Sequence, residues 1–263
     1  MKPKLGAGVL VEVSEVSKAY KAAGKNEQIL SGISLQVKEG EIISILGQSG
    51  CGKSTLLNLI AGFDTPDRGT IYTAGIEVKE PAKRCVMLFQ NYGLLPWRSV
   101  LKNVELGLLD LTEAERRSRA LAYLKLVGLE DRADHFPHQL SGGMQQRAAL
   151  ARALAIRPQI ILMDEPFAAL DTFTRYYLQN ELLNIHANEK TTILLVTHDI
   201  DEAVFLSDRI LIMSAGPGQI RKEIPIHSSR PRDRGHSDFQ HYRKLILDEF
   251  RLTGPQANEE YSI

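Results

Sequence analysis

The chain is short of cysteine, of tryptophan, of net charge and of long apolar runs, and each shortage excludes something. Its two cysteines, Cys51 and Cys85, make no C-x-x-C pair, which argues against a structural zinc site. With 32 basic residues against 32 acidic ones, no basic excess marks a nonspecific nucleic-acid binder. No apolar run approaches the ~20 residues that span a bilayer. The first residues lack the apolar stretch of a secretory signal. The expectation is a cytoplasmic chain whose membrane role comes through partners. No internal repeat or low-complexity tract is present. A 43% hydrophobic content over 263 residues suffices for one large domain or two small ones.

The most specific stretch present is Gly47-Gln48-Ser49-Gly50-Cys51-Gly52-Lys53-Ser54, which fits G-x-x-x-x-G-K-[ST]. An apolar run from Glu41 to Leu46 precedes it and reads as a buried strand. Thr55 to Gly62 follows and reads as a helix ending at a glycine. Strand, glycine loop and helix together make a phosphate cradle, because tight turns let successive N–H groups point at one anion. The helix N-terminus adds a favourable dipole. Lys53 is expected to reach the terminal phosphates and the Ser54 hydroxyl to ligate magnesium. Cys51 reads as a small side chain that fits the turn; the alternative is a redox-sensitive thiol beside Lys53.

Around this motif the chain alternates in type. Leu10 to Val16 and Ile29 to Val37 show the period-2 pattern of half-buried strands, and Thr70 to Val78 reads as a hairpin in the same antiparallel layer. Arg84 to Phe89 is a short, mostly apolar strand. From Val100 to Ala155 the pattern is helical, with a capping box at Thr112 and Glu115. Apolar strands return at Ile160 to Met163, Thr192 to Val196 and Arg209 to Met213, separated by helices at about 172–188 and 200–206. Such alternation implies a parallel sheet covered on both faces. A last strand near Ile220 to Ile224 leads into a polar connector over 227–238. Phe239, Tyr242, Leu245, Ile246 and Phe250 then recur at helical spacing, as in an amphipathic helix docked on the body.

Two further motifs carry chemistry. The strand Ile160 to Met163 ends in Asp164-Glu165, which puts charge at the sheet's carboxyl edge, where open α/β sheets bind ligands. Asp164 is expected to hold magnesium, directly or through water. Glu165 is expected to orient an attacking water or accept its proton. The stretch Leu140-Ser141-Gly142-Gly143-Met144-Gln145-Gln146-Arg147 opens a helix with Ser141 as N-cap and two glycines that bare the backbone amides. It reads as a second phosphate cradle. One chain needs only one cradle per nucleotide, so the second is expected to serve another molecule.

With these motifs in place, the chain resembles an ATP-binding-cassette (ABC) ATPase subunit from about Val11 to Ile226. Leu140 to Arg147 is similar to that family's signature sequence, here including Ser141, Gly142, Gly143 and Gln145. Tyr20 resembles the aromatic that stacks on adenine, with a core aromatic as the alternative. Gln90 resembles the glutamine that touches magnesium and senses the transmembrane partner. Asp171, in Ala169-Leu170-Asp171, resembles the loop that crosses the dimer interface, and His198 the histidine at the γ-phosphate. The resemblance implies an α/β P-loop NTPase fold with a mostly parallel, RecA-like core, an N-terminal antiparallel β layer and an inserted helical subdomain at about 91–157. The ATPase domain would cover 1–226, and the connector and amphipathic helix 227–263. It also implies ATP held by Tyr20 and by Gly47 through Thr55 (Gly47, Gln48, Ser49, Gly50, Cys51, Gly52, Lys53, Ser54, Thr55), catalysis by Glu165, His198 and Gln90, and Mg2+ at Ser54, Gln90 and Asp164. Two such domains would pair head to tail, as a self or sister pair, each nucleotide sandwiched between one phosphate loop and the opposite signature.

Within that family, Gln90-Asn91-x-x-Leu94-Leu95-Pro96-Trp97, Glu202-Ala203-Val204-Phe205-Leu206 and Arg230-Pro231-Arg232-Asp233-Arg234 resemble importers of nitrate, sulfonate, taurine and bicarbonate. The implied partners are transmembrane permease subunits and, indirectly, an extracytoplasmic solute-binding protein, with no nucleic acid. The implied location is the cytoplasmic face of the cell membrane. Trp97 reads either as buried core or as part of the groove that receives a permease helix. Gln48 stands where many members have proline. Two rival readings are an ATPase of an export or lipid-trafficking complex and a soluble ABC ATPase without membrane subunits.

Overall fold

The N-terminal alternation builds an antiparallel layer in the computed structural model, which describes residues 8–22, 25–89 and 92–253. Strand β1 (Val9–Ala22) runs antiparallel to β2 (Lys25–Lys38). Both are longer than their period-2 patterns suggest. Register shifts between Val13 and Ala19 break the alternation, so the second half of β1 is masked in the sequence. This continuation carries Lys18 and Tyr20 toward the site.

The chain then enters β3 (Ile42–Gly47), passes the glycine loop and forms helix α1 (Lys53–Ala61). Strands β4 (Arg68–Thr73) and β5 (Ile76–Glu77) return to the first layer, giving the order β2-β1-β4-β5. Strand β6 (Cys85–Leu88) begins the second half of the core. Three helices follow: α2 (Val100–Glu105), α3 (Glu113–Leu126) and α4 (Gly142–Ala155). Helix α3 starts at the full Thr112–Glu115 capping box. The core resumes with β7 (Ile160–Asp164), α5 (Thr172–Glu189), β8 (Thr192–Thr197), α6 (Ile200–Leu206) and β9 (Arg209–Ser214). The edge strand β10 (Gln219–Pro225) and helix α7 (Ser237–Thr253) close the described chain.

The second sheet has the order β10-β9-β3-β8-β7-β6. It is parallel except for β10, which pairs antiparallel to β9. The central strands are wholly buried yet still divide their side chains by parity. Ile42, Leu46, Ile161, Met163, Ile193 and Leu195 join the core under α2 to α7. Ile43, Ile45, Ile160, Leu162, Leu194 and Val196 join the core shared with α1 and the antiparallel layer. Burying both faces fixes the register of β3, β7 and β8, and therefore the level at which their C-terminal ends stand.

The connector after β10 is pinned rather than loose. Arg232 Nη1 donates to the carbonyls of Val204, Phe205 and Ser207 at 2.8, 3.1 and 2.6 Å, satisfying the C-terminal end of α6. The Arg234 guanidinium lies 3.9 Å from the Tyr176 ring centroid and 3.6 Å from that of Phe205. Helix α7 buries Phe239 and Ile246 against the same core. Trp97 is 71% exposed, which removes the buried-core reading for this side chain.

Candidate functional site

The C-terminal ends of β3, β7 and β8 open onto a cleft of about 580 Å³. Tyr20, Ser49, Gly50, Gly52, Lys53, Ser54, Thr55, Asp164, Glu165 and His198 line it, with Ile29 and Val196. Gly52 is the N-cap of α1 at φ 96°, and no side chain caps the helix there. The first amides of α1 therefore lack an intrahelical partner and face a site suited to an anion. A Cβ at Gly52 would come within 2.6 Å of Leu30 Cδ2, and its left-handed backbone would strain any other residue. Gly50, also left-handed at φ 79°, has no atom within 4 Å of its Cβ position, so the wall there is bare backbone. Lys53 is buried, and its Nζ donates to Gly47 O at 2.8 Å and Gln48 O at 2.9 Å. The ammonium thus folds back on the loop and holds its curvature. Gly47 and Cys51 are buried behind the loop, while Gln48 is exposed. Cys51 is 1% exposed, with its Sγ 3.7 Å from Lys53 Nζ, so its thiol is sealed from solvent.

The acidic end of the cleft is built by β7 and β8. Burial raises the Asp164 carboxyl above its ordinary range, the Ser54 hydroxyl bond opposes the rise, and the neighbouring Glu165 charge adds to it. Glu165 has φ 50°, a left-handed conformation uncommon outside glycine. Its N–H donates to Val196 O at 2.9 Å, and its carbonyl accepts from Gln146 Nε2 at 3.1 Å. The backbone is therefore held from both sides while the side chain turns into the cleft. His198 Nδ1 donates to Glu165 Oε1 at 3.1 Å from an exposed ring. A magnesium ion fits this donor set. The Ser54 hydroxyl and Asp164 are hard oxygen ligands, and a cation would relieve the Asp164–Glu165 repulsion. Among the described residues no group of three His, Cys, Asp or Glu could hold a metal alone.

Tyr20 stands at the other end, 41% exposed. Its hydroxyl donates to Asp64 Oδ2 at 2.7 Å, and burial, followed by this hydrogen bond, pushes its pKa up to about 12. Lys18 Nζ donates to Asp64 Oδ1 at 2.8 Å and sits 5.1 Å over the Tyr20 ring. Burial acts to raise the Asp64 carboxyl, but the bonds from Lys18 and Tyr20 outweigh it and hold it below its ordinary value. The ring is thus fixed by its hydroxyl while one face stays available. Gln90 lies outside the described residues.

The second cradle is not part of this cleft. Ser141 caps α4 by accepting from Met144 N–H at 3.3 Å, and Ser141 and Gly142 are exposed. Gln145 bends back to Leu140 O at 3.3 Å. Gly143 leans on the next loop, where a Cβ would come within 3.2 Å of Ala169 O. Asp171 caps α5 by accepting from Thr174 N–H at 3.0 Å and is exposed. Apart from Gly47, Gln48, Cys51 and the undescribed Gln90, the site residues singled out from sequence fall into two sets, one lining the cleft and one on or beside an exposed lip.

Several supporting residues carried no sequence signal of the role they play. Lys18 and Asp64 are far apart in the chain and single charges. Gln146 is buried and bridges Glu165 O and Ala169 N–H, tying α4 to the loop after β7. Glu202 sits under the His198 loop and is 5% exposed. Burial pushes its carboxyl up to about 8 from an ordinary 4.5, against the opposing Thr197 hydroxyl bond. A carboxyl whose folded pKa is raised holds its proton more tightly in the folded state. Its contribution to stability is complete below pH 4.5 and is lost as pH rises through about 8. Glu202→Gln should therefore raise Tm by several degrees above pH 8, corresponding to a few kcal/mol (order of magnitude), and by much less at pH 5. Thermal scans across pH check this; a difference that stays constant with pH would contradict it.

A family model described as ABC transporter matches residues 30–168. An uncharacterized ABC transporter ATP-binding protein of Methanocaldococcus jannaschii is 49% identical over 242 residues, 91% of each chain. The bicarbonate transport ATP-binding protein CmpD of Synechocystis sp. is 47% identical over 84% of this chain and 80% of its own. The aliphatic sulfonates import ATP-binding protein SsuB of Bacillus cereus is 42% identical over 93% of this chain and 97% of its own. Among solved structures, a dimeric ATP-binding cassette in a post-hydrolysis state with ADP and phosphate superposes with a TM-score of 0.78. It is 38% identical and covers 84% of this chain and 100% of its own.

Proposed function

The chain belongs to the ABC transporter family as its ATP-hydrolysing subunit, and on that premise we propose that two such subunits, opposed head to tail, power an importer of a small anion or small organic solute. The observation that carries this reading is the split of the site. The cleft has a phosphate loop, two acids and a histidine, while the amide-baring lip of Ser141, Gly142 and Gly143 lies apart from it. A lip that does not line its own chain's cleft is free to close the cleft of another. The γ-phosphate of ATP would then bridge donors from two subunits, so ATP favours the closed pair.

In the closed pair each group has a defined task. The α1 amides and Lys53 bind the phosphates, and Tyr20 offers its free face to the adenine ring. Glu165 takes the proton of the attacking water, and His198, already bonded to Glu165, orients that carboxylate toward the terminal phosphate. Ser54 and Asp164 would hold magnesium, with Gln90 as a third ligand. The ion's chemistry is to offset the phosphate charge. Loss of the terminal phosphate removes the bridge and lets the pair open.

The permease partner is the other half of the proposal. Among the described residues no helix is long and apolar enough to cross a membrane. The chain instead exposes Trp97, and a Phe63–Phe89 ring pair with centroids 5.3 Å apart. Exposed apolar clusters of this kind mark partner sites. Buried Asn103 fixes the Trp97 loop by bonding Leu95 N–H and the carbonyls of Leu95, Arg98 and Ser99. We place Trp97 and Asn103 in the helical arm, about 91–157 of an ATPase domain spanning 1–226, with the Phe63–Phe89 pair outside that arm, and set this face against the cytoplasmic side of the permease. The bicarbonate and sulfonate relatives support a solute of bicarbonate or sulfonate type; we take nitrate and taurine into the same class, with delivery by an extracytoplasmic binding protein. Trp97→Ala should abolish copurification with permease subunits while leaving the isolated subunit's ATPase rate within about twofold, since exposed side chains contribute little to stability. Retained copurification would contradict this docking site.

A further inference from the structure

The loop that bears His198 and the loop that bears Asp171 are joined through one side chain, Arg175, on the first turn of α5. Its Nη1 pairs with Asp199 Oδ2 at 3.1 Å, and its Nη2 donates to Leu170 O at 3.2 Å. Asp199 directly follows His198 and caps α6, accepting from Glu202 N–H through Oδ1 at 3.0 Å. One carboxylate thus divides its two oxygens between a helix start and the guanidinium. The Arg175–Asp199 pair is partly exposed, with side chains 27% and 31% accessible, so it is a weak source of stability. Arg175 Nε, by contrast, is buried with no hydrogen-bond partner among the described residues. The guanidinium gives up one donor to reach two acceptors on different loops at once. Its rigid fork fixes the distance between them, as a lysine could not.

We propose that Arg175 is a positioning residue that couples the seating of the Leu170–Asp171 loop to the placement of His198 against Glu165. A partner subunit that presses on the exposed lip at Asp171 moves Leu170 O, and through Arg175 and Asp199 the histidine follows. Turnover then requires the interface loop and the cleft to be in register. The inference rests on the roles given above to Glu165, His198 and the opposed dimer.

The test is a double-mutant cycle on ATPase kinetics of the full chain, with Arg175→Gln, Asp199→Asn and both together. Asparagine is itself a good N-cap, so Asp199→Asn keeps the α6 start and removes only the charge that faces Arg175. Each single variant should lower kcat by ~10-fold with KM for ATP within about twofold, and the double variant should be no slower than the slower single. In a Glu165→Gln background, Arg175→Gln should still form the ATP-dependent dimer. Losses that multiply to ~100-fold would overturn the coupling, as would a KM rise or a Tm fall that tracks kcat. Full activity of Arg175→Gln beside an inactive Glu165→Gln would sink this inference alone. Turnover by Glu165→Gln would sink the reading beneath it.

Discussion

Glu165→Gln is expected to lower ATP turnover by ~1,000-fold while leaving ATP affinity within about twofold. The amide keeps the shape of the carboxylate and can still face His198, but it has lost the basicity needed to take a proton from water. The left-handed backbone at φ 50° and the bonds to Val196 O and from Gln146 Nε2 hold the position whatever the side chain carries. The site should therefore stay intact, and the defect should appear in kcat alone. Steady-state ATPase assays and equilibrium nucleotide binding separate the two quantities. Turnover within tenfold of the parent would remove Glu165 from the general-base role.

Lys53→Ala is expected to act on binding instead, raising the Kd for ATP by ~100-fold, about 3 kcal/mol. The full strength of an ammonium–phosphate bond is larger than this. The ammonium already bonds Gly47 O and Gln48 O. What the variant forfeits is the difference between an anionic partner and two neutral carbonyls. Part of the loop's curvature goes with it, because those two bonds are lost as well. Titration with a fluorescent ATP analogue reads the effect directly. An unchanged Kd would mean that the lysine serves the loop's shape and not the ligand.

The sequence made the cleft legible wherever a residue type has only one economical use in its setting. A glycine loop between a buried strand and a helix, and an acid pair at the end of an apolar strand, announce their surroundings by themselves. The same applies to Ser141 before two glycines. The signal fails where function depends on a long-range partner. Lys18 and Asp64 meet across 46 positions to steady Tyr20. Arg175 and Asp199 meet across 24, and nothing in either local pattern points to the other. The bulged half of β1 was hidden for a related reason: register shifts destroy the period-2 pattern by which a strand is read. Trp97 was ambiguous because an apolar residue between a strand and a helix is equally at home in a core or at a docking face. Only its exposure distinguishes these. The run from Arg230 to Arg234 read as part of a polar connector that resembles one importer branch. In the fold two of its arginines are spent on carbonyls of α6 and on two aromatic rings.

In the proposed pair one nucleotide is clasped between the phosphate loop of one subunit and the glycine-bared helix start of another. The most direct measurement is the structure of the Glu165→Gln form grown with Mg-ATP. The expected result is a two-fold pair in which Ser141 and the Gly142–Gly143 amides of each subunit lie within hydrogen-bonding distance of the γ-phosphate bound by the other subunit. A saturated cleft in a subunit whose triphosphate meets no second copy would contradict it.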